Sequence, residues 1–315
     1  MRSGRLLAGL MLWMVSGYGG ATQLSFSSSD NEASQRFEYR WQRPGQNDAS
    51  LAFSLNRQSL AEAPGSQPNY SPARVQRYVY IEVMKAAQDI DPKQARVNVK
   101  KQRRGLKIEV SSPSNALNQQ ISQQLHQTQE SAFDKYLDEH YYTRYTTVFN
   151  QQAVKPDHIR YIHEYVKPLI PLSQAIYDRV GGQSDARAYF NFLLSWVQSI
   201  PYDTLESRAE NNGAGFLPPA GLLTQNKGDC DSKSVMTAAI ARGFLPDTPM
   251  ILILLPRHAL LGVALTPQRT DQTLIYNDKT YILFEPTGPA QMPLGDVAAD
   301  SERALGNGHY TIETI

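Results

Sequence analysis

The chain holds one cysteine, Cys230, set among residues that bear directly on how nucleophilic a thiol becomes. It lies in Lys227-Gly228-Asp229-Cys230-Asp231-Ser232-Lys233-Ser234, ahead of Val235, Met236, Ala239 and Ile240, whose spacing puts them on one face of a helix that stops at Gly243. Cys230 therefore falls in the first turn, with Asp229 or a neighbour as the cap. Unpaired N–H groups and the positive end of the helix dipole favour thiolate there and offer donors to an oxyanion. Asp229 and Asp231 oppose a further negative charge, and Lys227 and Lys233 partly offset them. The net sign stays open, and a basic partner must do much of the activation.

Histidine suits that task, and six are present. His126, His140, His158 and His163 lie in polar helical stretches and read as surface residues, and His309 lies in the C-terminal tail. His258 differs, because it follows Met250 to Leu255, a buried-strand run broken by Pro256, and opens a second run from Ala259 to Leu265. By position alone a hydrogen-bonded structural histidine and a catalytic one fit equally well. An acid follows in Tyr281-Ile282-Leu283-Phe284-Glu285-Pro286-Thr287-Gly288, which reads as the return strand of a hairpin after Asn277-Asp278-Lys279. Alternation puts Tyr281, Leu283 and Glu285 on one face, and a carboxylate ending an apolar strand is costly without a partner. An imidazole on the neighbouring strand would satisfy it.

In order and in type, GDCDSKS at 228 to 234, HALLGVAL at 258 to 265 and YILFEPTG at 281 to 288 resemble the cysteine, histidine and acid motifs of the transglutaminase-like branch of the papain-type thiol enzymes. VQSIPYD at 197 to 203 and LPPAGLLTQNKGDC at 217 to 230 resemble the helix and entry loop of bacterial members, so the likeness spans roughly residues 155 to 290. It implies a triad of Cys230, His258 and Glu285, with Glu where many members carry Asp. It also implies a papain-like α+β core, with the cysteine helix packed on an antiparallel sheet that carries histidine and acid. In papain-like enzymes a Gln shortly before the nucleophile helps to hold the oxyanion; Gln225 is the match here, against the reading of a surface loop residue. Tyr202, Trp196, Asp229 and Asp231 are the remaining cleft candidates, an aromatic at the end of an apolar helix being also a core residue by habit.

The implied activity is an exported cysteine peptidase or amidase working through an acyl-thioester, with a protein or peptide as substrate. Acyl transfer to amines is one alternative, and a non-catalytic module that keeps the fold is another. No cofactor is required, and zinc ligation fits poorly without a second cysteine or paired histidines at ligand spacing.

Other elements must hold these residues in place. Helical periodicity at Ile159 to Tyr165, Leu172 to Val180 and Tyr189 to Ile200 fills the segment before the cysteine. Phe37, Tyr39 and Trp41, then Leu51, Phe53 and Leu55, alternate as a strand pair. Ser71-Pro72 opens an amphipathic helix, and Ala95 to Val99 with Leu106 to Val110 forms a hairpin. Residues 113 to 145 make a long Gln-rich helical stretch. The basic residues Lys100, Lys101, Arg103 and Arg104 read as a solvated hairpin tip. A change of composition near residue 150 divides a smaller α+β N-terminal domain, residues 22–150, from a transglutaminase-like domain, residues 151–315.

Residues 1–21 read as a secretory signal, with Arg2 and Arg5, an apolar run from Leu6 to Val15 and a Gly19-Gly20-Ala21 cleavage site. The expectation is a bacterial periplasmic or secreted protein without stable membrane insertion, in which a lone thiol must be either buried or used. With 31 basic and 30 acidic residues among 315, the chain has no electrostatic footprint for nucleic acid. A protein partner would use the N-terminal domain.

Overall fold

A computed structural model describes residues 22–103, 105–181, 185–206 and 215–315. The signal segment and Arg104 lie outside the described residues.

Three strands open the chain, β1 (Thr22–Asp30), β2 (Ser34–Gln42) and β3 (Ala49–Asn56), as an antiparallel sheet in that order. Phe37 faces Phe53 and Tyr39 faces Leu51 in the β2–β3 register, so the alternating aromatics form one buried face. β1 was not anticipated. Its Ser-rich segment buries almost nothing, and strand pairing with β2 holds it in place. A single helical turn, α1 (Arg57–Leu60), follows.

The next elements build a separate small core. α2 (Pro72–Gln88) starts with Ser71 accepting from the Arg74 N–H and with Pro72 in its first turn. β4 (Arg96–Lys101) and β5 (Leu106–Ser111) form the expected hairpin, and α3 (Asn115–Glu139) lies along α2. A second hairpin, β6 (Tyr142–Thr146) with β7 (Gln152–Pro156), ends this unit. Val79, Val83, Leu125, Leu137 and Tyr142 lie at its centre.

α4 (His158–Arg179) runs unbroken where the pattern predicted two helices. Pro168 and Pro171 each remove an internal hydrogen bond, and the buried stripe of Ile162, Tyr165, Leu169, Leu172 and Ile176 outweighs that loss. α5 (Ala186–Ser199), α6 (Pro219–Gln225) and α7 (Cys230–Phe244) follow. The last layer is an antiparallel sheet of β8 (Met250–Leu255), β9 (His258–Val263), β10 (Thr273–Tyr276), β11 (Lys279–Phe284) and β12 (Thr311–Thr314), in the order β10-β11-β9-β8-β12, with α8 (Ala299–Gly306) between β11 and β12 in the chain. Alternation splits this sheet cleanly. Leu252, Ala259, Leu261, Ile282 and Phe284 face the main core, and Ile251, Ile253, Leu260, Tyr281 and Leu283 face the layer that contains Leu305 of α8. The protein is mixed α+β, and its sheets are antiparallel.

The cores do not divide at residue 150. Trp41 donates to Ser195 Oγ at 3.2 Å, Tyr39 meets Trp196 edge-on at 5.2 Å, and the whole aromatic face of β2 and β3 is buried with α4, α5 and α7. The opening sheet therefore belongs to the same core as the cysteine helix, and the separate unit is bounded by α2 and β7. Composition registers where helices become apolar, not which distant face a strand covers. Among the described residues no helix is long and apolar enough to cross a membrane.

Candidate active site

Cys230 is the first residue of α7, and Asp229 is its N-cap, accepting from the Ser232 N–H at 2.9 Å. The strand-like segment before it is fixed by backbone pairing. Gly228 N–H donates to Pro201 O and Asp203 N–H to Gly228 O, both at 3.2 Å. Gly228 leaves room there for Leu222, whose Cδ1 a Cβ would approach to 2.8 Å. From inside the helix Lys233 reaches back, donating to the carbonyls of Ile200 and Thr287 at 2.5 Å each. One buried side chain thus ties the cysteine helix to the end of α5 and to the segment after β11.

His258 opens β9 as expected, opposite Leu255 in the tight β8–β9 turn. Its Nε2 lies 3.4 Å from Glu285 Oε2, and Glu285 is only 3 % exposed. The second carboxylate oxygen accepts from the Ala298 N–H at 3.2 Å. Burial alone would raise the Glu285 carboxyl, but hydrogen bonds from His258 and Ser301 and the charge of His258 hold it below its usual value. The segment beyond Glu285 is held against α5, where Gln198 Nε2 donates to the Glu285 carbonyl at 2.8 Å. Gly288 has φ +68°, and a Cβ there would meet the Gln198 carbonyl at 2.2 Å, so only glycine lets the chain pass so close.

Cys230 and His258 line one cavity of about 320 Å³, together with Asp231, His158, Lys155, the β8–β9 turn and the tip of the β6–β7 hairpin. The backbone of Ala259, the residue after His258, lies near enough to the Cys230 sulfur to favour its thiolate slightly. With Nε2 committed to Glu285, Nδ1 is the His258 nitrogen left free. A larger hollow, about 860 Å³ and lined by Arg43, Arg179 and Gln291 among others, contains none of the three residues.

Electrostatics around the sulfur run against the expectation from the helix dipole. Burial first, then the charges of Asp231 and Asp229, push the Cys230 thiol well up. Its Sγ donates to Asp231 Oδ1 at 3.4 Å. Burial and Asp231 push Asp229 up to about 7, and burial raises Asp231 as well. Neither lysine relieves this charge at the sulfur. Lys227 pairs with Asp203 at 2.7 Å, and Lys233 points into the core, where burial lowers it to about 7 while two carbonyls and Asp229 favour its ammonium form.

The other predicted residues fare differently. Trp196 is fully buried against Tyr39 and Phe53 and is a core residue, because its helix face is covered by the β1–β3 sheet. Gln225 is exposed at the end of α6 and is not among the residues lining the cavity. Tyr202 pairs with Gly228 and lies near enough for Cys230 to act on its hydroxyl, which burial and the charges of Cys230 and Asp229 push up; it too is outside the cavity lining. Asp229 and Asp231 adjoin the sulfur.

His158, for which the polar helical stretch predicts a surface position, is 1 % exposed. Its Nε2 is 3.7 Å from Asp231 Oδ2, and among the described residues neither ring nitrogen has a hydrogen-bond partner. Burial and the Lys155 charge lower its pKa well below the ordinary imidazole value. No local signal in the sequence marks this burial, because it depends on distant segments, among them Phe216 and the helix that carries Asp231. Comparison of the chain with protein-family models, curated proteins and solved structures gives no match.

Proposed function

We propose that the protein is an exported thiol hydrolase, a peptidase or amidase with a papain-like transglutaminase core, in which Cys230, His258 and Glu285 act together. The observation that carries this reading is the shared cavity of Cys230 and His258, with Glu285 buried behind the imidazole at 3.4 Å. The raised thiol makes this a general-base mechanism and not one that starts from a standing ion pair. His258 Nδ1 takes the proton as sulfur attacks the amide carbon, and the carbonyl π pair moves to oxygen. The N–H groups of Cys230 and Asp231 at the start of α7 would serve as donors to that oxyanion, since those of Ser232 and Lys233 are taken by Asp229. The imidazolium then protonates the leaving amine as the C–N bond breaks, leaving a thioester on Cys230. Water attacks it, giving its proton to His258, and the thiol and a carboxylic acid are released. Glu285 keeps the proton on Nε2 and stabilises the imidazolium.

The non-catalytic reading draws on one observation, the two carboxylates of Asp229 and Asp231 beside a thiol that they and burial push up. Acylation by p-nitrophenyl acetate separates the two. The hydrolase reading predicts a burst of p-nitrophenol with acetyl mass gain on Cys230, absent in Cys230→Ala and strongly slowed in His258→Gln. A thiol acylated only after unfolding would establish the non-catalytic module.

A further inference from the structure

The β6–β7 hairpin has two working faces. Tyr142 and Val154 pack into the core of α2 and α3, while alternation turns Thr143, Tyr145 and Lys155 the other way, towards the cysteine helix and the large sheet. Lys155, 8 % exposed, pairs with Glu313 of β12 at 2.8 Å and so fastens the hairpin to the edge of that sheet. Its turn is organised by Thr147, whose Oγ1 accepts from the Phe149 and Gln151 N–H groups, with Asn150 at φ 56°. This turn holds Phe149 out at the rim of the Cys230 cavity, 70 % exposed. Tyr145 and Val148 stand beside it, and Leu254, Leu255 and Pro256 of the β8–β9 turn also line the cavity.

We infer that this hairpin is the specificity wall of the site, and that the cavity receives an apolar side chain of a peptide substrate beside the scissile carbonyl, against Phe149. The inference rests on the hydrolase reading and deepens it, because it names the substrate class and gives the N-terminal unit a role in the site. Continuity carries it. The apolar residues of the hairpin and of the β8–β9 turn border the same space as the nucleophile and His258, and a volume of about 320 Å³ admits a side chain or two but not a folded surface. Apolar area withdrawn from water on Phe149 would favour such a residue whatever its detailed shape.

Alkylation of Cys230 by iodoacetamide and by its N-phenethyl analogue tests this in the full-length protein, each rate divided by that of a small model thiol. The expected preference for the phenethyl reagent is about fivefold, the effect of half-covering a phenyl group. Phe149→Ser should reduce this ratio of the two normalised rates below about twofold, and Phe149→Leu should restore most of it. Equal preference in wild type and Phe149→Ser overturns the inference even if the thiol is reactive. A native thiol that reacts with neither reagent overturns the hydrolase reading itself, and the inference with it.

Discussion

Two histidine–carboxylate pairs flank Cys230, and they are built in opposite senses. In one, the acid Glu285 is buried and hydrogen-bonded while His258 is 26 % exposed into the cavity. In the other, the histidine His158 is buried without partners while the acid Asp231 is 30 % exposed beside the sulfur. A proton carrier must reach its reactant and must be stabilised when charged. His258 meets both conditions. His158 lines the same cavity but fails the second condition, since desolvation disfavours its charged form. Proximity to a thiol therefore does not identify a base; the direction in which the pair is buried does.

The largest break in this comparison comes from the histidines themselves. His258→Gln should lower thiol-dependent turnover of an activated ester by about a thousandfold, the range for losing a general base, while His158→Phe should change it less than about fivefold. A reversal of those two results would transfer the role to the buried pair. Glu285→Gln comes next, with a loss of about a hundredfold and the fold retained by circular dichroism. The amide would donate to Nε2 and force the proton onto Nδ1, the wrong tautomer for accepting one from sulfur. Glu285→Asp keeps the charge and should lose less.

Stability experiments sharpen the contrast. Lys233→Met leaves two buried carbonyls without their donor, and the melting temperature should fall by an amount corresponding to about 2–4 kcal/mol. His158→Phe should instead raise it by a few degrees, because it removes unpaired buried nitrogens beside Phe216, 5.0 Å away.

The smallest effect lies in pH dependence. The folded His158 pKa is depressed, so its contribution is fully present above the unfolded value of about 6.5 and is lost as pH falls below it. Wild type should therefore lose stability relative to His158→Phe in that window, measured by the difference in denaturant midpoint across pH 7.5 to 5, which cancels the opposite contribution of the raised Asp229 common to both. Glu285 is depressed too, but its contribution disappears only as pH falls from about 4.5 through the lower folded value, so the two windows separate.

Local signals accounted for much of the architecture. The alternation in Phe37 to Trp41, the Ser71-Pro72 helix start, the Asp229 cap and the Asn277-Asp278 turn, both residues at positive φ, all appear where their residue types require. So does His258 at the start of a core strand, facing a carboxylate. Helix α4 was missed as one element because proline is a local penalty and the burial that overcomes it is not local.

The residue types and order at the site, a cysteine in a first turn, then a histidine and an acid on successive runs, were fixed by the sequence itself, because caps, periodicity and turns act over a few residues. Tertiary structure alone decided which charges stand beside the thiol. Lys227 and Lys233 stand beside Cys230 in the chain, but one is drawn off by Asp203 and the other by carbonyls from α5 and the loop after β11. Burial of His158 and the approach of the β6–β7 hairpin were equally invisible, since both depend on segments distant in sequence packing around one cavity. Desolvation is set by everything that surrounds a group, and spacing along the chain does not carry that information.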